Sequence, residues 1–490
     1  MPSAPRPPSL VQAAVPILCL VGRLSASVYL FGDASSAGPN QIALMLSAVV
    51  AALVAARNGH TWAALEAGIV RVISTALGAM LILLTVGALI GAWILAGIVP
   101  AMIDYGLVLL TPRVFYAAAC AICCLVALAT GSSWTTAGTV GVALVGVATA
   151  QDLHLGMAAG AVISGAYFGD KMSPLSDTTN LAPAMAGTDL FTHIRAMVWT
   201  TAPALVMALV LFAVLGTTMA VPGETGAVAA IQDALGTSFA LGWHLLLPVV
   251  LVLVLVVRRV PALPALVAGT LAGALFAVIF QPGVVVAYAA SPELARPAAL
   301  VKGVWTALFD GYVSVSGNAE LDELLTRGGI GSMLTTIWLI VSAMTFGGVM
   351  ETSGMLERLG AALLGAVRGT GSLVAATLGT AIGANVVASD QYMAIVLPGR
   401  MFRPEFERRG LPPELLSRTL EDGGTITSPL VPWNTCGAFM AQTLGVATVA
   451  YAPFAFFNLL NPLVALAYAA TGISLPQHKP HSTRKGPPPP

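Results

Sequence analysis

Apolar stretches long enough to cross a membrane follow one another along most of the chain. A membrane-spanning helix needs roughly 20 apolar residues, and runs that approach or exceed this length lie near 9–31, 39–56, 69–103, 107–129, 197–221, 241–257, 262–281, 333–350, 355–380 and 449–474. Glycine, proline, serine, threonine or asparagine interrupts four further apolar stretches, at 131–150, 155–186, 381–400 and 421–447. Interrupted stretches of this kind are typical of half-helices and re-entrant hairpins. The pattern predicts an all-α polytopic membrane protein with roughly 11–14 membrane segments.

The composition agrees with lipid as the solvent of most side chains. Of the 490 residues, 57% are hydrophobic and only 9% are charged, about a third of the charged share of an ordinary soluble domain. The 22 basic residues equal the 22 acidic residues in number, which argues against nucleic acid as a partner. Cys120 and Cys123 form a CxxC pair, but no second pair or histidine follows at zinc-ligand spacing. The expected partner is the lipid bilayer, and a homodimer is compatible with these features.

The order of the apolar runs suggests five regions. These are N-terminal membrane helices at 1–60, a first repeat at 61–221, a connecting region with two to three membrane segments at 222–325, a second repeat at 326–475 and a disordered tail at 476–490. The N-terminal run lacks the short apolar core and cleavage site of a signal peptide, so we expect a retained first span. Arginines are densest at 400–418. Because cytoplasmic loops are rich in lysine and arginine, this segment and the basic tail should both face the cytoplasm.

A weak internal repeat relates the two halves of the chain. Three pairs of segments match in order at a spacing of 257 or 255 residues, namely 91–97 with 348–354, 132–134 with 389–391, and the Ser-Pro-Leu of 173–175 with that of 428–430. Two homologous halves that meet at a site near the bilayer midplane are the architecture of many secondary transporters. We therefore expect two repeats, inverted relative to each other, with Ser173 and Ser428 in equivalent positions. The segments 165–180 and 421–435 should converge.

The segment 165–180 is the strongest candidate site. It lies inside an apolar stretch, and its polar side chains include Asp170, Lys171, Ser173, Asp177, Thr178 and Asn180. An ionisable group in the bilayer core is costly unless it is paired or wetted. Pro174 frees nearby backbone carbonyls from helical hydrogen bonds, and carbonyl, hydroxyl, amide and carboxylate oxygens suit a sodium-sized cation. The alternative is an interfacial loop. We expect Lys171 to form a structural ion pair with Asp170 or to face the cytoplasm.

The second half supplies a matching segment at 421–435. Pro429 and Pro432 break the helix there. Its hydroxyl and amide oxygens belong to Thr427, Ser428, Asn434 and Thr435. Glu421 and Asp422 follow the basic segment directly, so they are either part of the site or helix-start acids that the helix dipole favours.

Two further breaks are rich in hydroxyl and amide groups and look like inner arms of the same site. Their candidate residues are Ser132, Ser133 and Thr135 in the first half, and Asn385, Ser389 and Asp390 in the second. Small residues at the first break alternatively allow helices to pack closely. Asp390 lies between apolar turns, so we expect a buried functional acid and not a surface one.

Four of these blocks resemble the signature segments of NhaC-type sodium/proton antiporters. They are GSSWTTAGTVGVAL at 131–144, GAYFGDKMSPLSDTTNLAPAMAGTDLFTHI at 165–194, QYMAIVLPGRMF at 391–402 and LSRTLEDGGTITSPLVPWNTCGAFM at 416–440. The resemblance covers roughly residues 60–460 and is weakest at 222–330. It implies the fold of the ion-transporter superfamily, in which each of two repeats has a re-entrant hairpin and a broken helix, and a location in the bacterial cytoplasmic membrane.

The resemblance implies exchange of Na⁺ for H⁺ by alternating access, with no cofactor. On this hypothesis the candidate Na⁺ ligands are Asp177, Ser173, Asn180 and Asn434. Asp177 would also accept the proton, with Asp390 as the second candidate. A carboxylate that binds either Na⁺ or H⁺ couples the two ions by competition, since one site cannot hold both.

Three alternatives are open at this point. Some relatives of the family exchange organic anions such as malate and lactate, which would require Lys171 or a half-helix N-terminus to hold the carboxylate. A passive channel is less consistent with the repeated broken helices. An intramembrane aspartyl protease is less consistent still, because Tyr167 replaces the first glycine of a GxGD motif ending at Asp170.

Overall fold

The structure is a computed structural model that describes residues 5–31, 35, 37–219 and 225–472. In this part of the chain the fold is helical, and extended backbone pairs at a single antiparallel bridge between Tyr312 and Arg327. The helices of the first half are α1 (Leu10–Phe31), α2 (Pro39–Arg57), α3 (Trp62–Thr75), α4 (Leu77–Leu95), α5 (Ile98–Leu109), α6 (Phe115–Thr130), α7 (Ser133–Thr136), α8 (Val142–Ala150), α9 (Leu155–Met172), α10 (Asp177–Ala186), α11 (Leu190–Met219) and α12 (Thr225–Ser238). A π-helical turn at Ala137–Gly141 joins α7 to α8.

The second half continues with thirteen helices in the described residues. They are α13 (Leu247–Val257), α14 (Ala262–Phe280), α15 (Pro282–Ala289), α16 (Arg296–Asp310), α17 (Ala319–Leu325), α18 (Leu334–Thr352), α19 (Met355–Gly365), α20 (Thr370–Val387), α21 (Gln391–Arg408), α22 (Pro413–Thr427), α23 (Thr435–Leu444), α24 (Thr448–Tyr451) and α25 (Phe456–Thr471). Breaks between α9 and α10, and between α22 and α23, fall at the Ser-Pro-Leu segments of the two halves.

The long apolar helices have the dimensions of membrane spans. Eight helices of the described residues are long and apolar enough to cross a membrane, and ten spans result if two bent helix pairs each count as one. Val206, Val210 and Val214, which share one face of α11, are each more than half exposed. An exposed apolar face of this kind is solvated by lipid. The prediction of an all-α polytopic membrane protein is confirmed.

Some segments differ from the sequence pattern in detail. The apolar run 69–103 is divided among α3, α4 and α5, and the run 355–380 is divided between α19 and α20. The basic segment 400–418 is mostly helical, because it comprises the end of α21 and the start of α22. The predicted tail, 476–490, lies outside the described residues.

Several helices of the two halves correspond in order and in length. α4 and α18 have 19 residues each, and their first residues, Leu77 and Leu334, are 257 positions apart. Both are followed by a helix that begins after a glycine in the left-handed region, Gly97 with φ +76° and Gly354 with φ +71°. Glycine adopts this conformation without steric cost. The repeat in the sequence therefore corresponds to repeated secondary structure.

The correspondence extends to the broken segments. α10 and α23 have 10 residues each. Ser173 directly follows α9 and Ser428 directly follows α22, so both serines occupy the C-cap position. Both serines thus end the helix before the break, although Ser173 has extended backbone and Ser428 is helical. Their equivalence under the repeat and the inversion of the two repeats stay predictions.

Helix α9, which leads into the candidate site, packs closely on α6 through a glycine. A β-carbon at Gly165 would lie 2.2 Å from the carbonyl oxygen of Cys120. Cys120 is a free, buried thiol, as are its neighbours Cys123 and Cys124. The two backbones therefore touch directly, and the end of α9 is held in place by this contact.

Replacing Gly165 with alanine is expected to destabilise the protein by ~1–3 kcal/mol, because the added methyl group forces the two helices apart. The melting temperature of the purified protein in detergent measures the loss. Gly379→Ala in α20 is a matched control, since a β-carbon there meets no atom within 4 Å. Equal melting temperatures for the two variants would contradict direct packing of α6 on α9.

Candidate functional site

A cavity of about 840 Å³ lies where the interrupted segments of the two halves meet. Three carboxylates line it, Asp170 and Asp177 from the first half and Asp390 from the second. The other polar side chains that these segments contribute to its lining belong to Ser132, Ser133, Ser176, Thr178, Gln391, Tyr392 and Thr435. The structure thus brings together the segments that the repeat predicts should converge.

Four helices, α7, α10, α21 and α23, begin at this cavity. At each N-terminus a side-chain oxygen accepts hydrogen bonds from backbone N–H groups of the first turn. These caps are Ser132 Oγ (3.1 Å), Ser176 Oγ (3.5 Å), Asp390 Oδ1 (2.9 and 3.0 Å) and Asn434 Oδ1 (2.9 Å). Capping residues of this type are favoured because the first N–H groups of a helix have no partner within it. Much of the polarity of the segments thus serves to start these helices.

Asp170 joins two of the helix starts. It is buried near the end of α9, and its two carboxylate oxygens accept hydrogen bonds of 2.6 Å from Ser133 Oγ and Ser176 Oγ. Ser133 opens α7 and Ser176 caps α10. The expected ion pair between Asp170 and Lys171 is therefore wrong, because the two adjacent side chains leave α9 in different directions and find separate partners.

Asp177 and Asp390 are connected through Tyr392. The Tyr392 hydroxyl donates a hydrogen bond of 3.4 Å to Asp177 Oδ2, while its backbone N–H donates to Asp390 Oδ1. Asp177 is exposed in the first turn of α10, and Asp390 is buried. The prediction that Asp390 is a buried acid is confirmed. One acid from each half thus reaches the same side of the cavity.

Three of the four candidate Na⁺ ligands do not line the cavity. Ser173 is buried and accepts a hydrogen bond from the backbone of Leu175. Asn180 donates to the carbonyl oxygens of Pro174 and Ser176, at 3.0 and 2.7 Å. Asn434 caps α23 from beneath the surface. Of the four, Asp177 lines the cavity.

Amide side chains hold the broken helix of the second half together. Asn385 Nδ2 donates to the carbonyl oxygen of Gly424 at 2.6 Å and to Thr427 Oγ1 at 3.1 Å. Asn434 Nδ2 donates to both oxygens of Asn385, each at 3.1 Å. The amides therefore occupy carbonyl groups that the break leaves without helical partners. Ser389, with φ +60°, forms the turn into α21.

A second polar cluster, which sequence analysis did not predict, surrounds Lys171. This side chain is fully buried and forms an ion pair with Asp422 of α22, which is also fully buried. Asn461 accepts from Lys171 Nζ at 3.1 Å and donates to Asp422 Oδ1 at 2.6 Å, and Thr200 donates to the same oxygen at 3.0 Å. Asp422 and its neighbour Glu421 lie in the middle third of α22, well past its first turn, so the interpretation as helix-start acids is wrong.

The cavity and the Lys171 cluster differ in charge. The charged side chains that line the cavity are the three aspartates and Arg259, whereas Lys171 does not line it. Among the described residues no three His, Cys, Asp or Glu side chains lie close enough together to hold one metal ion. The three carboxylates of the cavity therefore do not converge on one metal-binding point.

A stacked pair of aromatic rings lies along α23 between two cavities. Trp134 lines the first cavity and stacks on Phe439 of α23 with ring centroids 4.0 Å apart. The same helix lines the first cavity with Thr435 and lines a second cavity, of about 390 Å³, with Gln442 and Thr443. Along this helix, Phe439 therefore lies between the residues that line the two cavities.

Comparison with known proteins identifies the family. The sequence model of the Na⁺/H⁺ antiporter family matches residues 165–473. The chain is 39% identical over 443 residues to the Na⁺/H⁺ antiporter NhaC of Alkalihalophilus pseudofirmus, covering 89% of this chain and 92% of that protein. This chain belongs to the Na⁺/H⁺ antiporter family. The resemblance to NhaC-type antiporters is confirmed, and with its apolar helices this membership makes the chain a multi-pass inner-membrane protein.

Other members of the antiporter family are equally extensive matches. The Na⁺/H⁺ antiporter NhaC of Bacillus subtilis is 37% identical over 430 residues, which cover 87% of this chain and 91% of that protein. A malate-2H⁺/Na⁺-lactate antiporter of the same organism is 37% identical over 436 residues, with 89% and 90% coverage. Proteins similar to this chain thus include antiporters named for Na⁺ and H⁺ alone and one named for malate and lactate as well.

Proposed function

We propose that this protein exchanges Na⁺ for H⁺ across the cytoplasmic membrane by alternating access. The observation that carries the proposal is the cavity in which carboxylates of both repeats meet the starts of four helices. The exchange moves ions without converting a substrate into a product, so the proposal includes no cofactor. Na⁺ and H⁺ are the substrates.

The carboxylates of the cavity suit a cation. In the described part of the chain three aspartates line it, against one basic side chain, Arg259 in the loop between α13 and α14. Carboxylate oxygens are hard ligands of the kind that Na⁺ prefers, and each carboxylate can hold H⁺ instead.

Asp177 is the principal candidate for the group at which the two ions compete, with Asp390 second. Asp170 already accepts two serine hydrogen bonds, and Asp390 accepts two backbone N–H groups. Asp177 receives one long hydrogen bond from Tyr392 and therefore keeps the most free coordination capacity. A carboxylate that binds Na⁺ when ionised and H⁺ otherwise excludes one ion while it holds the other.

Exchange of an organic anion is the second candidate, and the geometry favours it less. A substrate carboxylate would bind to free N–H groups at the helix starts, but the caps Ser132, Ser176, Asp390 and Asn434 already occupy such groups. Lys171, the basic group that this alternative requires, is buried in its ion pair with Asp422. The cavity itself offers one basic side chain, Arg259, against three carboxylates.

Transport by the purified protein in liposomes tests the proposal. When Na⁺ leaves the liposomes down an outward gradient, the exchange should carry H⁺ inward. The lumen should then become more acidic, as reported by a pH-sensitive dye. Malate and lactate, added on either side, should leave the flux unchanged, and protein-free liposomes are the control. An absolute requirement for either anion would favour organic-anion exchange, and absence of any Na⁺-dependent proton flux would overturn the proposal.

A further inference from the structure

Glu421 is a buried carboxyl group that the cation cavity does not use. It lies on α22, is fully buried, and does not line the cavity. Neither of its carboxylate oxygens has a hydrogen-bond partner among the described residues. The hydroxyl of Thr425, one helical turn later, is buried and approaches this carboxyl group, but the two do not form a hydrogen bond of regular geometry. Glu421 is thus a carboxyl group removed both from water and from the usual partners of a carboxylate.

The charges around Glu421 do not neutralise it. Those that face it are Lys171 and Asp170 of α9 and Asp422 of its own helix. The hydrogen bonds of Lys171 go to Asp422 and Asn461, and Asp170 adds a like charge. Arg418 of the same helix interacts electrostatically with Asp422 and with Tyr468 of α25. On the neighbouring helix α11, His193 is hydrogen-bonded to Ser417.

An ionised carboxylate in such a place is very costly, because burial removes its hydration and no ion pair or hydrogen bond replaces it. A bound proton removes this cost. The same argument does not apply to Asp422, since Lys171, Asn461 and Thr200 contact its Oδ1. Of the two adjacent acids, one is therefore held as an anion and the other is suited to hold a proton.

We propose that Glu421 is a proton-carrying site of the exchange, separate from the cavity that binds the cation. This inference rests on the proposed Na⁺/H⁺ exchange and adds to it a second place for a proton. Its class of ligand is H⁺ alone, since the surrounding groups leave Glu421 without the several oxygen neighbours that a Na⁺ ion requires.

Helix α22 connects the two sites mechanically. Its last turn is tied to α20 through Asn385, which binds the carbonyl of Gly424 and the hydroxyl of Thr427. Asn385 in turn binds Asn434, the cap of α23 at the cation cavity. A shift of the helix starts on cation binding therefore moves the helix that carries Glu421. The proton leaves when this movement opens the pocket to water.

The test compares Glu421→Gln with the wild-type protein in liposomes, using ²²Na⁺ and a pH-sensitive dye together. Glutamine has the same shape but cannot carry a proton. We expect the variant to transport one proton fewer than the wild-type protein for each Na⁺. The exchange of ²²Na⁺ for unlabelled Na⁺ should continue at the wild-type rate. Glu414→Gln, the same substitution in the first turn of the same helix, should keep the wild-type ratio.

The outcomes are distinct. An unchanged ratio of transported protons to Na⁺ in Glu421→Gln would overturn the inference. Loss of Na⁺–Na⁺ exchange in a monodisperse, thermally stable variant would overturn it as well, because that result would place Glu421 in the cation site. If Glu421→Gln does not fold, Glu421→Asp in a stable protein should show a shifted pH profile of proton flux, and an unshifted profile would overturn the inference. Failure of the proposed function is a different result, since the wild-type protein itself would then move no protons.

Discussion

Replacing Asp177 with asparagine is expected to abolish Na⁺-driven proton flux while leaving the protein folded. Asparagine keeps one oxygen ligand and the size of the side chain, but it carries no charge and does not titrate. Interactions with a charged group typically contribute ~1.5–3 kcal/mol, so Na⁺ binding should weaken roughly 10- to 100-fold. Folding should be preserved because Asp177 is exposed and makes a single long hydrogen bond with Tyr392. Proton flux in liposomes and ²²Na⁺ binding measure the two effects.

Asp189→Asn is the matched control for Asp177→Asn. Asp189 caps the next helix, α11, by accepting the backbone N–H of Thr192 at 3.0 Å, and asparagine caps helices equally well. It does not line the cavity, so exchange should be unaffected. Sodium-dependent proton flux equal to wild type in Asp177→Asn would remove this residue from the site. Asp170 and Asp390 would then be the carboxylates to test.

The fold was largely predictable because its signals are local. Length and apolarity identify the spans, and proline after serine at 173–174 and 428–429 identifies the two breaks. The spacing between the breaks reveals the repeat, which in turn predicts that Asp177 and Asp390 approach the same site. Extra breaks such as Gly97 were missed, since a single glycine in an apolar run is also compatible with a continuous helix.

Which polar side chains line the cavity and which ones cap helices or bind carbonyl groups could not be predicted from such local signals. Ser173, Asn180 and Asn434 have the oxygens that a Na⁺ site requires, yet the same oxygens can cap a helix or occupy a free carbonyl group. Which use is made depends on the direction of each side chain after the break. The sequence therefore identifies a set of polar groups, whereas three-dimensional structure separates those that line the cavity from those that support it.

Ion pairs between residues that are distant in the sequence cannot be predicted from local sequence patterns. Lys171 and Asp422 are 251 positions apart, and nothing near either residue indicates the other. Asp170 was the expected partner of Lys171 because it is adjacent in sequence, but adjacent residues on a helix point about 100° apart. The ion pair joins α9 of the first repeat to α22 of the second, so it fixes the two halves to each other behind the cavity.

Replacing Lys171 with methionine is expected to destabilise the protein by ~3–5 kcal/mol, because removal of one partner leaves Asp422 as an uncompensated buried charge. Thr200 and Asn461 can still donate to that carboxylate, but neither carries a positive charge. A lower melting temperature and aggregation in detergent measure the effect. Lys302→Met is the control. Lys302 is exposed on α16, and its ammonium group is hydrogen-bonded to Ser291, which precedes that helix. The loss of stability should therefore be ~1 kcal/mol or less.

The double variant Lys171→Met, Asp422→Leu is expected to regain most of the stability that the single variant loses. Replacing a buried ion pair by apolar side chains of similar volume is often neutral or stabilising, since the cost of desolvating both charges disappears. Recovery should be incomplete, because Thr200 and Asn461 lose their common acceptor and each unmet hydrogen bond costs ~1–3 kcal/mol. A double variant that is as unstable as Lys171→Met would contradict this account. It would show that the amine of Lys171 is required by a group other than Asp422.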